Sequence, residues 1–278
     1  MILNTRATGN LGRPLVAEPA AKGATVGALT RTPATTRVPD GVEVCDSVQP
    51  DVDGVTAPSS STSPPSGNAP RRCWMAARRQ ASEGASPSPR WSLPATPDAE
   101  RGSTAAIHQE LGEAVETAFG QLAYLRPGAF ASHAVQCKPQ LQASNVVRDP
   151  YTQSSTAPIV DADLAALALR ALVDDELIGR KPSLTGPEGL TATQRVEILG
   201  QVPGRWPRYE DITSERAGQA MLSHNPWVHE AAIDSLPGYL ARTVGRPAWV
   251  RGEVERMLGR PARTVAQWAA DHAAAFQN

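Results

Sequence analysis

Long apolar runs are missing from this 278-residue chain. None approaches the roughly 20 residues that span a bilayer. No basic stretch precedes the first apolar residues, so neither a membrane span nor a signal peptide is expected. An excess of one charge is missing too. Lys and Arg number 27, Asp and Glu 28, and the formal net charge of −1 argues against nucleic acid or an anionic membrane as partner. Cysteine is scarce: Cys45, Cys73 and Cys137 are odd in number and widely spaced. That excludes a disulfide framework and fits free thiols in the cytoplasm. His133, His224, His229 and His272 have no acidic or cysteine partners at ligand spacing, so no metal is expected. The sharpest absence is local. Thr56 to Pro97 holds no Val, Ile, Phe or Tyr, and Leu93 is its one Leu. Ser, Pro, Ala and Arg fill it instead, and the segment cannot supply the apolar runs from which buried parallel strands are made. Residues 56–97 are therefore expected to be irregular.

What is present begins at the first residues. Ile2 and Leu3 open a strand, Gly9 and Gly12 form a turn, Leu11 to Ala21 reads as a helix, and Thr25 to Thr30 as a second strand. This is the entry unit of a dinucleotide-binding fold, with glycines where the backbone must approach a pyrophosphate and a helix must pack on a strand. Arg6 stands where that fingerprint has its first glycine. Pro19 lies inside the expected helix, where it removes a hydrogen bond. Gly41 to Cys45 alternates as a third strand. Beyond the apolar-poor segment, Ala105 to Phe119 is helical, Leu122 to Leu125 is a buried strand, and Asp161 to Val173 is a helix with Asp161 as cap. Thr191 caps another helix reaching Gln201, and the chain closes on a helical stretch from Thr264 to Phe276, with Trp268 and Phe276 as core anchors.

Several segments together resemble the NmrA-like branch of the atypical short-chain dehydrogenases/reductases, and within it the type-2 NAD(P)H:quinone oxidoreductases. They are Thr5-Arg6-Ala7-Thr8-Gly9-Asn10-Leu11-Gly12, Ala28-Leu29-Thr30-Arg31, His108-Gln109-Glu110, Leu125-Arg126-Pro127-Gly128-Ala129-Phe130, Leu184-Thr185-Gly186-Pro187-Glu188 and Gly259-Arg260-Pro261-Ala262-Arg263-Thr264. The likeness covers roughly 1–55 and 98–278. Residues 56–97 keep the length of the strand–helix–strand expected there but not its sequence. Ala, Pro, Arg, Ser and Gly with stray Trp and Cys are what an out-of-frame reading of a GC-rich gene produces; a genuine Pro/Ser-rich insertion is the alternative. Asn4 and His133 also depart from the family, which usually has an apolar residue and Asn there.

The resemblance implies an α/β fold, a Rossmann-like doubly wound parallel sheet, with a small, mostly helical C-terminal portion on the substrate side. It divides the chain into an NAD(P)-binding part, 1–182, and a substrate-side part, 183–278. Thr5, Arg6, Thr8, Gly9, Asn10, Leu11 and Gly12 are expected at the cofactor's pyrophosphate. Arg31, assisted by Arg37, follows the second strand where an NAD site would carry an acid, so NADP (NADPH) is favoured over NAD. Pro127, Gly128 and Phe130 are expected beside the nicotinamide, with Phe130 either walling the acceptor pocket or buried in the core. His108 is the catalytic candidate, since imidazole titrates near working pH. The proton-donating tyrosine of related enzymes is replaced by Thr104. The expected function is NADPH-dependent reduction of a quinone or similar small acceptor by a cytoplasmic monomer or homodimer. The alternatives are a non-catalytic NADP(H)-sensing regulator and an impaired member of the family.

Overall fold

The computed structural model describes residues 2–5, 7, 12–30, 33–46, 57–62, 73–78, 121–201, 206–213, 215–217 and 240–276. Its first strand, β1 (Ile2–Thr5), leads into helix α1 (Gly12–Ala21), followed by β2 (Val26–Thr30) and β3 (Val42–Asp46). These strands run parallel, with Ile2 opposite Val26 and Val26 opposite Val42. Gly12, Leu15, Val16 and Pro19 form the buried stripe of α1, a spacing of three and four residues that matches the helical repeat. Ala7, Val16, Val26 and Ala28 make a small core under this unit.

Pro19 does not break the helix. It sits in the last full turn, where it removes one intrahelical donor without ending the helix. Its own carbonyl accepts from Lys22 N and Ala24 N, both at 3.0 Å. Gly23, at φ 79°, then turns the chain into β2, a backbone state glycine adopts without penalty.

Strand β4 (Ala57–Thr62) lies on the other side of β1, followed by β5 (Cys73–Arg78), β6 (Gln121–Pro127) and β9 (Ser183–Leu184). The seven-stranded order is β3-β2-β1-β4-β5-β6-β9. The fold is therefore the expected doubly wound α/β class, with its switch point between β1 and β4.

Two features correct the expectation for residues 56–97. The segment is not irregular throughout, because β4 pairs parallel with β1 (Ile2 opposite Ala57) and β5 pairs with both β4 and β6. The sheet is not wholly parallel either, because β5 runs antiparallel to both neighbours. Apolar content governs which strands are buried, but ladder hydrogen bonds belong to the backbone, and β1 and β6 flank the gap that β4 and β5 fill. Direction follows from the connection. Residues 63–72 are too few for a parallel crossover, which needs a dozen or more residues.

A helix at Asp161–Val173 packs against α1, β4, β5 and β6. Leu164, Leu167, Ala168, Ala171 and Leu172 join Leu15, Ala123, Leu125 and Ile159 in the main core. Each buried leucine contributes about 1.5–3 kcal/mol. Val160, not Asp161, is the N-cap residue, and it makes no side-chain cap. Asp161 instead accepts at 3.0 Å from the Ser132 hydroxyl, while its charge still favours the helix N-terminus.

The chain continues through β7 (Val146–Asp149) paired with β11 (Arg208–Asp211), and β8 (Ser155–Thr156) paired with β10 (Leu190–Thr191). Thr191 caps the helix Ala192–Gln201 as expected: its Oγ1 accepts from Gln194 N at 3.1 Å, and Gln194 Oε1 accepts from Thr191 N at 2.8 Å. A second capping box, between Thr264 and Gln267, starts the helix Val265–Asp271. Trp268 and Phe276 are core anchors, 2% and 4% exposed, with rings 6.3 Å apart.

Candidate functional site

The candidate site lies at the C-terminal ends of β1, β2 and β6, where open α/β sheets bind ligands. At β1 the decisive side chain is Asn4. It is fully buried, and its Nδ2 donates to the carbonyl of Gly12 at 3.1 Å. The amide thus ties the end of the strand to the first residue of α1 across the intervening turn. Asn4 Oδ1 has no hydrogen-bond partner among the described residues. A buried polar atom left open costs free energy, so this departure from the usual apolar residue belongs to the turn's architecture. The sequence marks Asn4 as a departure from the family's usual apolar residue, but not its bond to Gly12.

Thr5 ends β1 opposite Leu29, and Gly12 is buried at the opening of α1. Both stand where the pyrophosphate site was expected. Arg6, Thr8, Gly9, Asn10 and Leu11 lie outside the described residues, as do Arg31, Thr104 and the catalytic candidate His108. At the end of β2, the Thr30 and Thr36 hydroxyls are 3.0 Å apart, folding the following loop back on the strand. Arg37 on that loop is exposed.

The loop after β6 is held by its backbone. Gly128 N donates to Leu184 O at 3.0 Å, Ile159 N to Ala129 O at 2.9 Å, Ala131 N to Ile159 O at 2.9 Å and Gly186 N to Ala157 O at 3.1 Å. Three segments, 127–131, 157–159 and 184–186, are laced into one platform. Gly186 is obligatory there, because a Cβ would meet Pro158 O at 2.0 Å. Pro127 pairs with Leu184 and is buried. Gly128 has more room, since a Cβ there would meet only Leu184 O, at 3.8 Å. The ring of Phe130 is 2% exposed and belongs to the main core. Of its two expected roles the core one holds, with the His133 ring 5.4 Å away.

The later motifs brace this platform. Glu188 Oε1 accepts from Val265 N at 3.2 Å, and Thr185 Oγ1 accepts from Arg251 N at 2.8 Å. Asp163, fully buried, accepts from Arg263 N at 2.7 Å and pairs with Arg260 at 2.7 Å. Segments that look unrelated along the chain thus meet in space. Burial, aided by the Asp149 carboxylate, pushes the Cys137 thiol up to about 11, which keeps it protonated and poorly nucleophilic at neutral pH. Among the described residues no group of His, Cys, Asp and Glu is arranged to hold a metal ion. No helix there is long and apolar enough to cross a membrane.

No protein-family model matches the chain. Across nearly its whole length it superimposes on an Escherichia coli NADPH-dependent quinone oxidoreductase solved with NADPH, at TM-score 0.64 and 17% identity, covering 98% of this chain and 99% of that one. A nucleoside-diphosphate-sugar epimerase from Staphylococcus aureus superimposes at TM-score 0.67 and 15% identity, covering 97% and 99%. The chain shares the Rossmann-like fold of these two proteins. In sequence it is 33% identical to a (4-alkanoyl-5-oxo-2,5-dihydrofuran-3-yl)methyl phosphate reductase of Streptomyces griseus over 181 residues, which are 65% of this chain and 63% of that protein.

Proposed function

We propose that the chain binds NADPH at the ends of β1, β2 and β6 and reduces a quinone or similar small conjugated acceptor. The observation that carries this reading is the junction of β1 and α1. A buried glycine opens a ten-residue helix at the end of a central strand beside the switch point, and Asn4 fixes that glycine's carbonyl. Helix N-termini and glycine turns at this place accept phosphate groups, so the residues present fit a dinucleotide. The reductase name of the Streptomyces relative and the NADPH complex of the Escherichia coli neighbour support the same reading.

In this reading Thr5 to Gly12 hold the pyrophosphate, and Arg31 grips the 2′-phosphate with its planar fork. The braced backbone at Pro127, Gly128 and Phe130 borders the nicotinamide. When bound, NADPH supplies the hydride. His108 holds the nicotinamide ribose or passes a proton from its imidazole to the reduced acceptor. The platform of 127–131, 157–159 and 184–186 keeps this geometry rigid.

Thr104, in the place of the usual tyrosine, is equally compatible with a second reading: an NADP(H)-sensing regulator that binds cofactor without turnover. Titrating the purified chain with NADPH, then following NADPH consumption with a panel of quinones, tests both. Binding with turnover supports the reductase. Binding without turnover to any quinone supports the regulator, and no binding removes both.

A further inference from the structure

A cavity of about 400 Å³ opens beside the edge strand β9, with Arg126 of β6 on its wall. Its wall carries Arg126, Arg180, Lys181, Arg251 and Arg256, with Glu253 as the sole carboxylate. The chain as a whole is nearly neutral at −1, so this is a local concentration of positive charge. Glu253 is already committed to an ion pair with Arg256. The guanidiniums of Arg126, Arg180 and Arg251 have no carboxylate partner among the described residues.

Two of these cations are held in place before any ligand arrives. Arg126 donates through Nε to Lys181 O at 2.9 Å, which leaves its two terminal nitrogens uncommitted. Arg251 lies 3.9 Å from the ring centroid of Trp249, and its backbone is fixed by Thr185. Stacking on an aromatic face orients a guanidinium without consuming its donors. Like charges gathered in this way repel one another unless an anion joins them. The volume falls within the range of small-molecule pockets, and Pro182 and Met257 add apolar wall.

We propose that this cavity binds a small phosphate ester, its phosphate held between Arg180 and Arg251 and its organic part against Pro182 and Met257. Two guanidinium forks from separate chain segments match a phosphate dianion, which accepts several charge-assisted hydrogen bonds at once. The phosphate ligands Arg180 and Arg251 lie outside the β1 turn, the loop after β2 and the 127–130 loop, although Arg126 on the same wall adjoins Pro127.

The test is calorimetric titration of the full chain with glycerol 3-phosphate, with glycerol and inorganic phosphate as comparisons. Binding of the ester is expected, weakening as salt is raised, with no binding of glycerol. The double variant Arg180→Gln with Arg251→Gln should weaken binding at least about tenfold while its melting temperature without ligand stays unchanged. Arg208→Gln, at an exposed cation on β11, should leave binding as it is. Ester binding that survives the double variant overturns the proposal. So does inorganic phosphate binding as tightly as the ester, or saturating NADPH displacing the ester, since the site would then serve a free anion or the cofactor itself. Absence of ester binding overturns it outright.

Discussion

One sheet in this molecule is built in two ways. β6 and β9 lie parallel beside a core of Leu125, Leu164, Leu167 and Ile159, all fully buried. The segments around them are cross-braced by Asp163, Thr185 and Glu188. β4 and β5, written Ala-Pro-Ser-Ser-Ser-Thr and Cys-Trp-Met-Ala-Ala-Arg, occupy the central positions between β1 and β6, and β5 runs backwards. The difference separates two contributions to a sheet. Flanking strands recruit a backbone ladder almost regardless of side chain, whereas apolar packing and polar braces depend on each residue. Pro58 illustrates the first: it has no N–H to donate, yet it pairs opposite Leu3 in the middle of the sheet.

The largest effect expected from this contrast comes from matched truncations. Leu125→Ala on β6 should cost about 2–5 kcal/mol, the usual range for a fully buried leucine, read from urea unfolding. Ser60→Ala on β4 leaves every ladder bond in place and should change stability by less than about 0.5 kcal/mol. Comparable losses at both positions would erase the distinction. Within the braced half, Gly186→Ala should cost about 3 kcal/mol, because its Cβ has to displace the Pro158 carbonyl. An unfolding midpoint like that of the parent would mean the two segments do not cross closely. Asp163→Ala should cost about 2 kcal/mol. It leaves Arg263 N–H without its acceptor, while Arg260, 44% exposed, recovers water.

The smallest effect concerns reactivity. In a Cys45→Ser, Cys73→Ser background, alkylation of Cys137 by iodoacetamide should rise with pH around a midpoint near 11. Burial raises the folded thiol's pKa, so the reactive thiolate forms only at higher pH than in an open chain, where the midpoint is about 8.5. A midpoint at the open-chain value would show that the thiol is not enclosed.

Much of this architecture was legible in the sequence wherever periodicity and capping residues agree. The strand–turn–helix of 2–21, the helix at 161–173, the Thr191 cap and the closing helical stretch from Thr264 follow from local chemistry. The helix continues through Pro19 to Ala21 although that residue removes one of its donors. β4 and β5 were illegible because their ladder is imposed by neighbours distant in sequence. At the candidate site, the glycines announced themselves and Asn4 stood out from the family, but the partners of Asn4 and Asp163 did not. The first works through a carbonyl eight residues away and the second through a backbone N–H one hundred residues away, and neither spacing forms a local motif. The resemblance marked the segments around Gly186 and Arg263 without saying that they touch.

The most direct test of the account is titration of the purified full chain with NADPH, and separately with NADH, followed by thermal shift. A ligand bound only by the folded state raises the melting temperature in proportion to the logarithm of its saturation. The account predicts a rise with NADPH that exceeds the rise with NADH at equal concentration, because the proposal has Arg31 grip a 2′-phosphate that only NADPH carries. An unchanged melting temperature with both nucleotides would contradict it, and would leave the β1–α1 junction as architecture without a cofactor.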